Sequence, residues 1–433
     1  MDEYLADHLV SLRRDLHRHP EPAWCEFYTT SRIVDELDRI GVPYHLGTEA
    51  LSTADRMAVP DESTLEDWRT RAGSAGANQQ TLERIGNVTG VVATLDRGTG
   101  PTAALRVDID GLEREESTAE SHVPAAEGFR SEYDGTMHAC GHDAHAAIGV
   151  GVLETIAESD FEGTLRVFFQ PAEEVVGGGK AMAESEHLAD VEYLFSLHVG
   201  LEHPTGEVVA GIDDFLAVSQ FEATVTGTSV HAGGHPEAGR NAVQAMASAV
   251  SNLYGIPRHH DGITRVNVGV VGGGSAVNII PESAFLVGEV RGETSALMSS
   301  MRDGADRVLS AAADMHGCSV EIETIGEAPS AESDAALAEI VSSSAERVES
   351  VESVVTRDSL GGSEDASYLM RAVQERGGLA TYVGIGTDHP GGHHTATFDV
   401  DERSIEIGVD VLSGAIQSVA FQYPFHNPER TSS

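Results

Sequence analysis

The spacing of apolar residues along the chain predicts alternating helices and strands. Leucines at helical spacing, from Leu5 to Leu16, begin a first helix, and a second helical segment ends before Gly41. Four short apolar runs farther along are typical of buried strands, at 88–95, 103–107, 165–169 and 193–197. A helix that opens near His142 separates the second run from the third. Strands that alternate with helices indicate an α/β sheet whose functional site lies at the strand ends.

The pattern changes near residue 216, where the predicted elements follow in the order β-α-β-β-α-β. They are 217–226, 241–254, 263–271, 284–291, 295–315 and 319–325. This order is that of a ferredoxin-like unit. After Pro329 the first pattern resumes. We therefore predict an α/β fold in which a mixed-sheet catalytic domain, 1–215 and 330–433, is interrupted by a ferredoxin-like α+β domain at 216–329.

Length and charge narrow the class of protein. A chain of 433 residues is too long for one ordinary core, so two domains are expected. The net charge is -43, with 70 acidic and 27 basic residues, and Lys180 is the one lysine. A surface this negative repels nucleic acid and anionic membranes, so neither is an expected partner. Acidic residues spread along the whole chain favour a protein adapted to concentrated salt, where screening relieves self-repulsion.

Targeting and redox features indicate a cytoplasmic protein. No apolar run reaches the roughly eighteen residues of a membrane span, and the acidic N-terminus is unlike a signal peptide. The cysteines are odd in number and lie far apart, at Cys25, Cys140 and Cys318. A disulfide framework is therefore not expected.

Residues 137–145 combine a thiol, imidazoles and a carboxylate, the groups that bind first-row divalent metals. Similar groups recur where predicted elements give way to loops. The predicted ligands are Cys140, His142, Glu174, His198 and His394. A bridging thiolate predicts two divalent ions about 3.5–4 Å apart, and mixed S, N and O ligation suits manganese, zinc, nickel or cobalt. Neighbouring imidazoles are alternative ligands: His138, His145 and His393.

Carboxylates at two strand ends have different predicted roles. In the pair Glu173-Glu174, one residue ligates while the other takes a proton from water and passes it to the leaving amine. Asp108 and Asp110 share one face after an apolar strand and are expected to orient a ligand histidine.

Polar residues of the inserted unit are candidates for substrate binding. His231, Asn278 and Arg291 together offer an imidazole, an amide and a guanidinium for a scissile carbonyl and a substrate carboxylate. A purely structural role for these residues stays open. A rival chemistry makes Cys140 a nucleophile activated by a histidine, but it leaves the glutamate pair, His198 and His394 unexplained.

Seven segments spread over nearly the whole chain carry a family resemblance. They are 14–17, 108–110, 138–145, 170–174, 197–200, 363–365 and 394–402. With them the chain resembles the aminoacylase and glutamate-carboxypeptidase superfamily of binuclear metallohydrolases. Its branch is that of the amidohydrolases, which includes indole-acetyl-amino-acid and hippurate hydrolases. Where that branch usually has a proline after its second aspartate motif, this chain has Gly111.

The resemblance implies roles for the candidate residues. It makes the five predicted ligands a binuclear site that favours manganese, with Glu173 as the general base. It implies that the inserted domain is a lid that mediates dimerisation, with itself or with a homologous second subunit. His231 would then reach the partner's site and help to stabilise the oxyanion. Asn278 and Arg291 match lid positions that hold the substrate carboxylate.

Within the branch, the chain is most similar to the A-type subunits of p-aminobenzoyl-glutamate hydrolases. The cues are 21–27, the insertion at 60–80, 231–234, 240–242, 291–294 and 392–394. This implies hydrolysis of the amide of an N-acyl amino acid, first of all p-aminobenzoyl-glutamate to p-aminobenzoate and glutamate. Two alternatives stay open: a broader N-acyl-amino-acid, hippurate or dipeptide hydrolase, and a non-catalytic partner subunit of a heteromeric hydrolase.

Overall fold

The computed structural model describes residues 1–422, which form two compact units. Unit 1 consists of Met1–Asp213, Glu332–Leu360 and the described residues from Asp365 onward, and unit 2 of Asp214–Ala331 and Gly361–Glu364. The predicted catalytic domain extends to 433, and its last residues, 423–433, lie outside the described part.

The first part of unit 1 alternates helices and strands. Its helices are α1 (Glu3–Arg18), α2 (Phe27–Ile40), α3 (Glu62–Ala75), α4 (Gln79–Ile85), α5 (Val123–Glu127), α6 (His142–Ala157) and α7 (Gly179–Ala183). Its strands are β1 (Tyr44–Leu46), β2 (Val91–Asp96), β3 (Thr102–Asp108), β4 (Thr164–Gln170), β5 (Tyr193–Val199), β6 (Glu207–Val209) and β7 (Ile212–Asp213). The predicted helices and strands of this part are confirmed.

Unit 2 contains the elements of the inserted domain. They are β8 (Ala217–Thr226), β9 (Val230–His231), α8 (Ala242–Leu253), β10 (Thr264–Gly273), β11 (Ile279–Ile280), β12 (Ser283–Gly292), α9 (Ser295–Met315) and β13 (Ser319–Ala328). The sheet order is β10-β12-β8-β13 with every neighbouring pair antiparallel, which is the ferredoxin-like arrangement. Helices α8 and α9 bury Met246, Leu253 and Leu309 against this sheet.

Unit 1 is completed by the C-terminal part of the chain. Its elements are α10 (Ala335–Ala345), β14 (Ser353–Val355), β15 (Asp358–Ser359), α11 (Ala366–Glu375), β16 (Leu379–Ile385) and α12 (Arg403–Gln422). The main sheet has the order β1-β2-β4-β3-β5-β16-β6-β14. It is mixed, because β3, β4, β5 and β16 run parallel while β1, β2 and β6 form antiparallel pairs.

Local sequence explains where the helices of unit 1 begin and end. The Asp2 side chain accepts a hydrogen bond from the Leu5 amide at 2.8 Å and caps α1. Leu9, Leu12 and Leu16 of this helix are buried in the core. Helix α2 ends at Gly41, whose φ of 81° is left-handed and suits glycine. Periodicity and capping therefore act together, as the apolar pattern predicts.

The four parallel strands place their carboxyl ends at one edge of the sheet. Strand β3 ends at Asp108, β4 at Gln170, β5 at Val199 and β16 at Ile385. Ligands bind at this edge in open α/β sheets because loops and helix N-termini converge there. The α/β class with an inserted ferredoxin-like α+β domain is confirmed. In residues 1–422, every helix is too short or too polar to cross a lipid bilayer.

Candidate metal centre and active site

Cys140 lies immediately before helix α6, at the carboxyl edge of the sheet. Gly141 adopts a φ of 89°, and a side chain on it would collide with Val199. Only glycine fits both conditions, so the turn brings Cys140 and His142 into the site together. Both side chains are buried.

The imidazole of His198 faces the thiol of Cys140. Its Nδ1 donates to the Val199 carbonyl at 2.7 Å, and its Nε2 lies 3.4 Å from Cys140 Sγ. Burial, together with the neighbouring His145, holds the pKa of His198 well below its usual range. A neutral ring with its Nε2 lone pair pointed at a thiol has the form of a metal ligand.

The second imidazole, that of His142, is held by Asp110. Its Nδ1 donates to the Asp110 carbonyl at 2.9 Å and lies 3.2 Å from that residue's carboxylate. The opposite atom, His142 Nε2, is buried and has no hydrogen-bond partner among the described residues. Burial would lower the pKa of His142, but Asp108 and Asp110 outweigh it and raise that pKa to about 10. Carboxylates that favour a positive charge at this buried nitrogen would also favour a divalent ion bound there.

The glutamate pair follows strand β4 on a bent loop. Ala172 and Val176 have positive φ values of 57° and 52°, and the Glu174 amide donates to Asp110 Oδ2 at 3.0 Å. The carboxylates of Glu173 and Glu174 lie 4.0 and 3.9 Å from His142 Nε2. Both acids therefore face this buried nitrogen.

His394 approaches from the loop between β16 and α12. Its Nε2 lies 3.5 Å from Glu174 Oε2, and its amide donates to the Ala139 carbonyl at 2.8 Å. Its φ of 58° is unusual for a residue with a side chain. Because 58% of the side chain is exposed, His394 lies on the open side of the site.

The structure places all the predicted ligands at one edge of the sheet, in groups of which two share Cys140. Within each group the potential ligand atoms lie within 4.8 Å of one another. The groups are Cys140, Glu174 and His394; Cys140, His198 and His393; and Asp108, His142 and His145. The shared thiolate and the mixture of S, N and O donors fit a pair of divalent ions.

The alternative histidines differ in what their nitrogens do. His145 is fully engaged, because its Nε2 accepts from the Val199 amide at 2.9 Å and its Nδ1 donates to Asp108. His393 remains able to ligate, since among residues 1–422 its one hydrogen-bonded ring nitrogen is Nε2, which contacts the Val199 carbonyl at 3.1 Å. His138 is buried, and neither ring nitrogen has a hydrogen-bond partner in the described residues. The geometry thus favours support by His145 and leaves His393 beside His394.

A buried network behind the glutamate pair was not foreseen from the sequence. Arg106 on β3 donates to Asp108 at 2.7 Å, to Gln170 at 2.9 Å and to Asp365 at 3.0 Å. Asp365 also accepts from the amides of Gly178 and Gly179 at 3.1 and 2.7 Å. These bonds tie the end of β4 to the loop that carries Glu173 and Glu174. The motif 363–365 was recognised in the sequence, but its partner Arg106 carries no local signal.

A second buried network supports the start of α6. Arg13 donates to Asp143 at 2.8 Å and to Asp399 at 2.5 Å. His17 lies between Asp143 at 2.8 Å and Glu116 at 3.0 Å. Through Asp143, the network holds the first turn of α6, which carries His142, against helix α1. Residues 14–17 belong to a recognised motif, but only the structure shows what His17 contacts.

The candidate residues of unit 2 are described within that unit. Strand β9 pairs with β11, which sets His231 opposite Ile279, and the Ala232 amide donates to the Asn278 carbonyl at 2.9 Å. His231 and Asn278 are therefore neighbours, and both are exposed. Arg291 on β12 makes a two-bond ion pair with Glu289 at 2.9 and 3.0 Å. Their roles in substrate binding remain predictions.

Comparison with known proteins assigns the family. A family model described as peptidase family M20/M25/M40 matches residues 104–418. The chain belongs to this family. The resemblance drawn from the sequence motifs, to binuclear metallohydrolases of the amidohydrolase branch, is confirmed.

Two curated relatives are similar over almost their whole length. The chain is 41% identical over 421 residues to indole-3-acetyl-aspartic acid hydrolase of Enterobacter agglomerans, covering 95% of this chain and 97% of the relative. It is 41% identical over 414 residues to the A-type subunit of p-aminobenzoyl-glutamate hydrolase of Escherichia coli, covering 94% and 95%.

Two solved structures share the fold. An aminobenzoyl-glutamate utilization protein from Klebsiella pneumoniae has a TM-score of 0.83 at 36% identity, with 98% of this chain and 99% of that chain covered. A Bacillus subtilis protein described as a dinuclear metal-binding peptidase of the M20 family has a TM-score of 0.66 at 25% identity, covering 97% and 99%.

Proposed function

We propose that this chain is a metal-dependent amidohydrolase that removes an aromatic acyl group from an acidic amino acid. The expected substrate is p-aminobenzoyl-glutamate. The observation that carries the proposal is the clustering of the predicted ligands at one edge of the sheet, where Cys140, Glu174 and His394 form one group of potential ligand atoms. Glu173 and Glu174 also face the buried Nε2 of His142, which has no hydrogen-bond partner in the described residues. The ions would be held by the five predicted ligands, with manganese expected first.

The residues of the site have different proposed roles in amide hydrolysis. A pair of divalent ions, when bound, polarises the scissile carbonyl and lowers the pKa of water. Glu173, whose side chain is 12% exposed, takes the proton of the attacking water and passes it to the leaving amide nitrogen. Asp110 orients His142 through Nδ1. As the family resemblance implies, His231 would stabilise the oxyanion in the active site of the partner subunit, and Asn278 and Arg291 would bind the substrate carboxylate.

The names of the relatives support the substrate class. Indole-3-acetyl-aspartate and p-aminobenzoyl-glutamate each join an aromatic acyl group to an acidic amino acid, and the two relatives are equally similar at 41% identity. The second candidate function is therefore hydrolysis of indole-3-acetyl-aspartate.

The deciding experiment measures release of p-aminobenzoate from p-aminobenzoyl-glutamate in molar KCl, with and without added Mn²⁺. Indole-3-acetyl-aspartate, hippurate and an acetylated amino acid are run beside it. Metal-dependent turnover that favours the aminobenzoyl substrate is expected. Faster turnover of another compound would change the proposed substrate but leave the proposed reaction unchanged. No turnover with metal bound would indicate a missing partner subunit.

A chelator separates this chemistry from a cysteine nucleophile. The thiol of Cys140 lies near His198, as a nucleophile would. A metal-dependent hydrolase loses activity in chelator and regains it when Mn²⁺ is restored. A cysteine hydrolase keeps its activity throughout.

We also propose that unit 2 mediates dimerisation, with a second copy or a homologous partner. Strand β10 forms one edge of its sheet, and Val270 and Val271 on it are 51% and 59% exposed. An apolar edge strand of this kind is an open pairing surface. Light scattering in molar KCl is expected to give the mass of a dimer, and Val271→Lys is expected to reduce it to that of a monomer.

We further propose that the protein works in the cytoplasm of a cell with a high salt concentration. The net charge of -43 and the one lysine support a working medium of high ionic strength. Cys25, Cys140 and Cys318 form no disulfide within residues 1–422, as in a reducing compartment. Unchanged folding and activity after dialysis to low salt would contradict the salt adaptation.

A further inference from the structure

A second group of metal-binding side chains adjoins the predicted centre in unit 1. The potential ligand atoms of Glu202, His389 and His393 lie within 4.8 Å of one another. None of these residues belongs to the five predicted ligands. His393 also belongs to the group that contains Cys140 and His198, so the two groups share one imidazole.

The imidazole of His389 packs beside Phe398, with 5.5 Å between the ring centroids, but one of its nitrogens is unsatisfied. Its Nδ1 is shielded from solvent and has no hydrogen-bond partner in the described residues. Its ring centroid lies 4.8 Å from that of His393. A shielded nitrogen without a partner carries a desolvation cost that a bound cation would remove.

Glu202 supplies a carboxylate from the turn that follows β5. The residues 200–202 all have positive φ, with 53° at Leu201 and 65° at Glu202. Glu202 is exposed, so the group opens to solvent. Two imidazoles and one carboxylate are the ligand set of many zinc sites, and they suit manganese, cobalt or nickel better than calcium or magnesium.

His393 can serve only one of the two groups at a time. Its Nε2 donates to the Val199 carbonyl at 3.1 Å, which leaves one nitrogen to ligate. An ion bound with Glu202 and His389 would therefore be released by His393 before this ring could join Cys140 and His198.

We propose that Glu202, His389 and His393 bind a third divalent transition-metal ion and pass it to the centre through His393. The direction of this transfer rests on the proposed function, whereas binding of the ion does not. We call this group the loading site.

The first test counts bound ions. Metal-free protein without an affinity tag is titrated with Zn²⁺ in molar KCl and followed by calorimetry, and bound zinc is then counted by mass spectrometry. The wild type is expected to bind three ions per chain and His389→Ala two. Glu202→Gln removes the charge of one ligand and should weaken the third site by at least about tenfold, since the loss of even an outer-shell contact costs that much at a metal site.

The matched control is His259→Ala, in the exposed run His259, His260 and Asp261 of unit 2, which also forms a potential metal-binding group. It should still bind three ions. Only two ions in the wild type would overturn the proposal. So would a third ion that survives His389→Ala or disappears in the control.

The second test follows uptake of Mn²⁺ by metal-free protein, using the electron paramagnetic resonance signal of the free ion. His389→Ala should fill its two sites more slowly than the wild type and reach the same final occupancy of those two. Equal rates would refute the transfer role. An inactive protein that binds three ions would mean that the chain alone is not the proposed amidohydrolase and lacks its partner subunit. It would leave the loading site standing, so the two failures are distinguishable.

Discussion

Replacement of Asp365 by asparagine probes the buried network behind the glutamate pair. The carboxylate is buried and accepts from Arg106 at 3.0 Å and from Gln170 at 2.6 Å. It also accepts from the amides of Gly178 and Gly179 at 3.1 and 2.7 Å. Every one of these partners is a donor, so the site demands an acceptor at both oxygens.

Asparagine preserves the volume but turns one oxygen into a donor. Either the guanidinium side or the two glycine amides then face an N–H group. Loss of one partner of a buried ion pair costs about 3–5 kcal/mol. Because asparagine keeps one acceptor and Arg106 keeps Asp108 at 2.7 Å, we expect Asp365→Asn to lower the free energy of unfolding by about 3 kcal/mol. Displacement of the loop should also reduce kcat, by up to about 100-fold.

Urea unfolding at constant KCl, on metal-free protein, measures the free energy without a contribution from metal binding. The matched control is Asp35→Asn, because Asp35 is 39% exposed and its ion pair with Arg32 spans 3.0 Å on the surface of α2. Asp35→Asn should lower the free energy of unfolding by less than about 1 kcal/mol. If Asp365→Asn is no less stable than the control and retains wild-type kcat, the network does not position the loop.

The remaining predictions concern the base, the pH dependence and the salt dependence. Glu173→Ala should keep its metal and lose about 10²–10⁴-fold in kcat, and wild-type turnover would refute its role as the base. Burial and Arg13 lower the pKa of His17, but Asp143 and Glu116 outweigh them and raise it to about 9. The protonated ring therefore stabilises the fold fully below pH 6.5, the ordinary pKa of histidine, and this contribution is lost as the pH rises through 9. It amounts to about 3 kcal/mol, and thermal unfolding across that window should show a slope that His17→Gln flattens; an equal slope in the variant would reject the assignment. Because the net charge is -43, the KM for p-aminobenzoyl-glutamate should fall as KCl rises, and fall more than that for p-aminobenzoyl-glutamine; equal falls would exclude electrostatic repulsion.

The elements of the fold were largely predictable because their signals are local. Helical spacing of leucines and short apolar runs depend on residues near one another in the chain. The strands that were not predicted are short and lie near the sheet edges, such as β1 (Tyr44–Leu46), β6 (Glu207–Val209) and β14 (Ser353–Val355). Runs of three residues are too short to show an alternating pattern. Their pairing is decided by the strand beside them.

The candidate ligands were predictable because their chemistry is concentrated in short motifs. The contacts that each histidine ring nitrogen makes were not predictable from the sequence. His145 stands in the same motif as His142, but contacts from β3 and β5 engage both of its nitrogens. His393 and His394 are adjacent, and only the structure shows that one faces Val199 while the other faces Glu174.

The sequence by itself determined the fold class with its inserted domain and the kinds of side chain that are candidate metal ligands, since periodicity and motif composition are properties of neighbouring residues. The tertiary structure decided which side chains meet. Arg106 and Asp365 stand 259 positions apart, and nothing in the sequence near either residue identifies the other. They meet because β3, β4, β5 and β16 run parallel and bring distant loops to one edge of the sheet. Away from water, Arg106 is paired there with Asp108 and Asp365, since an unpaired buried charge would be too costly.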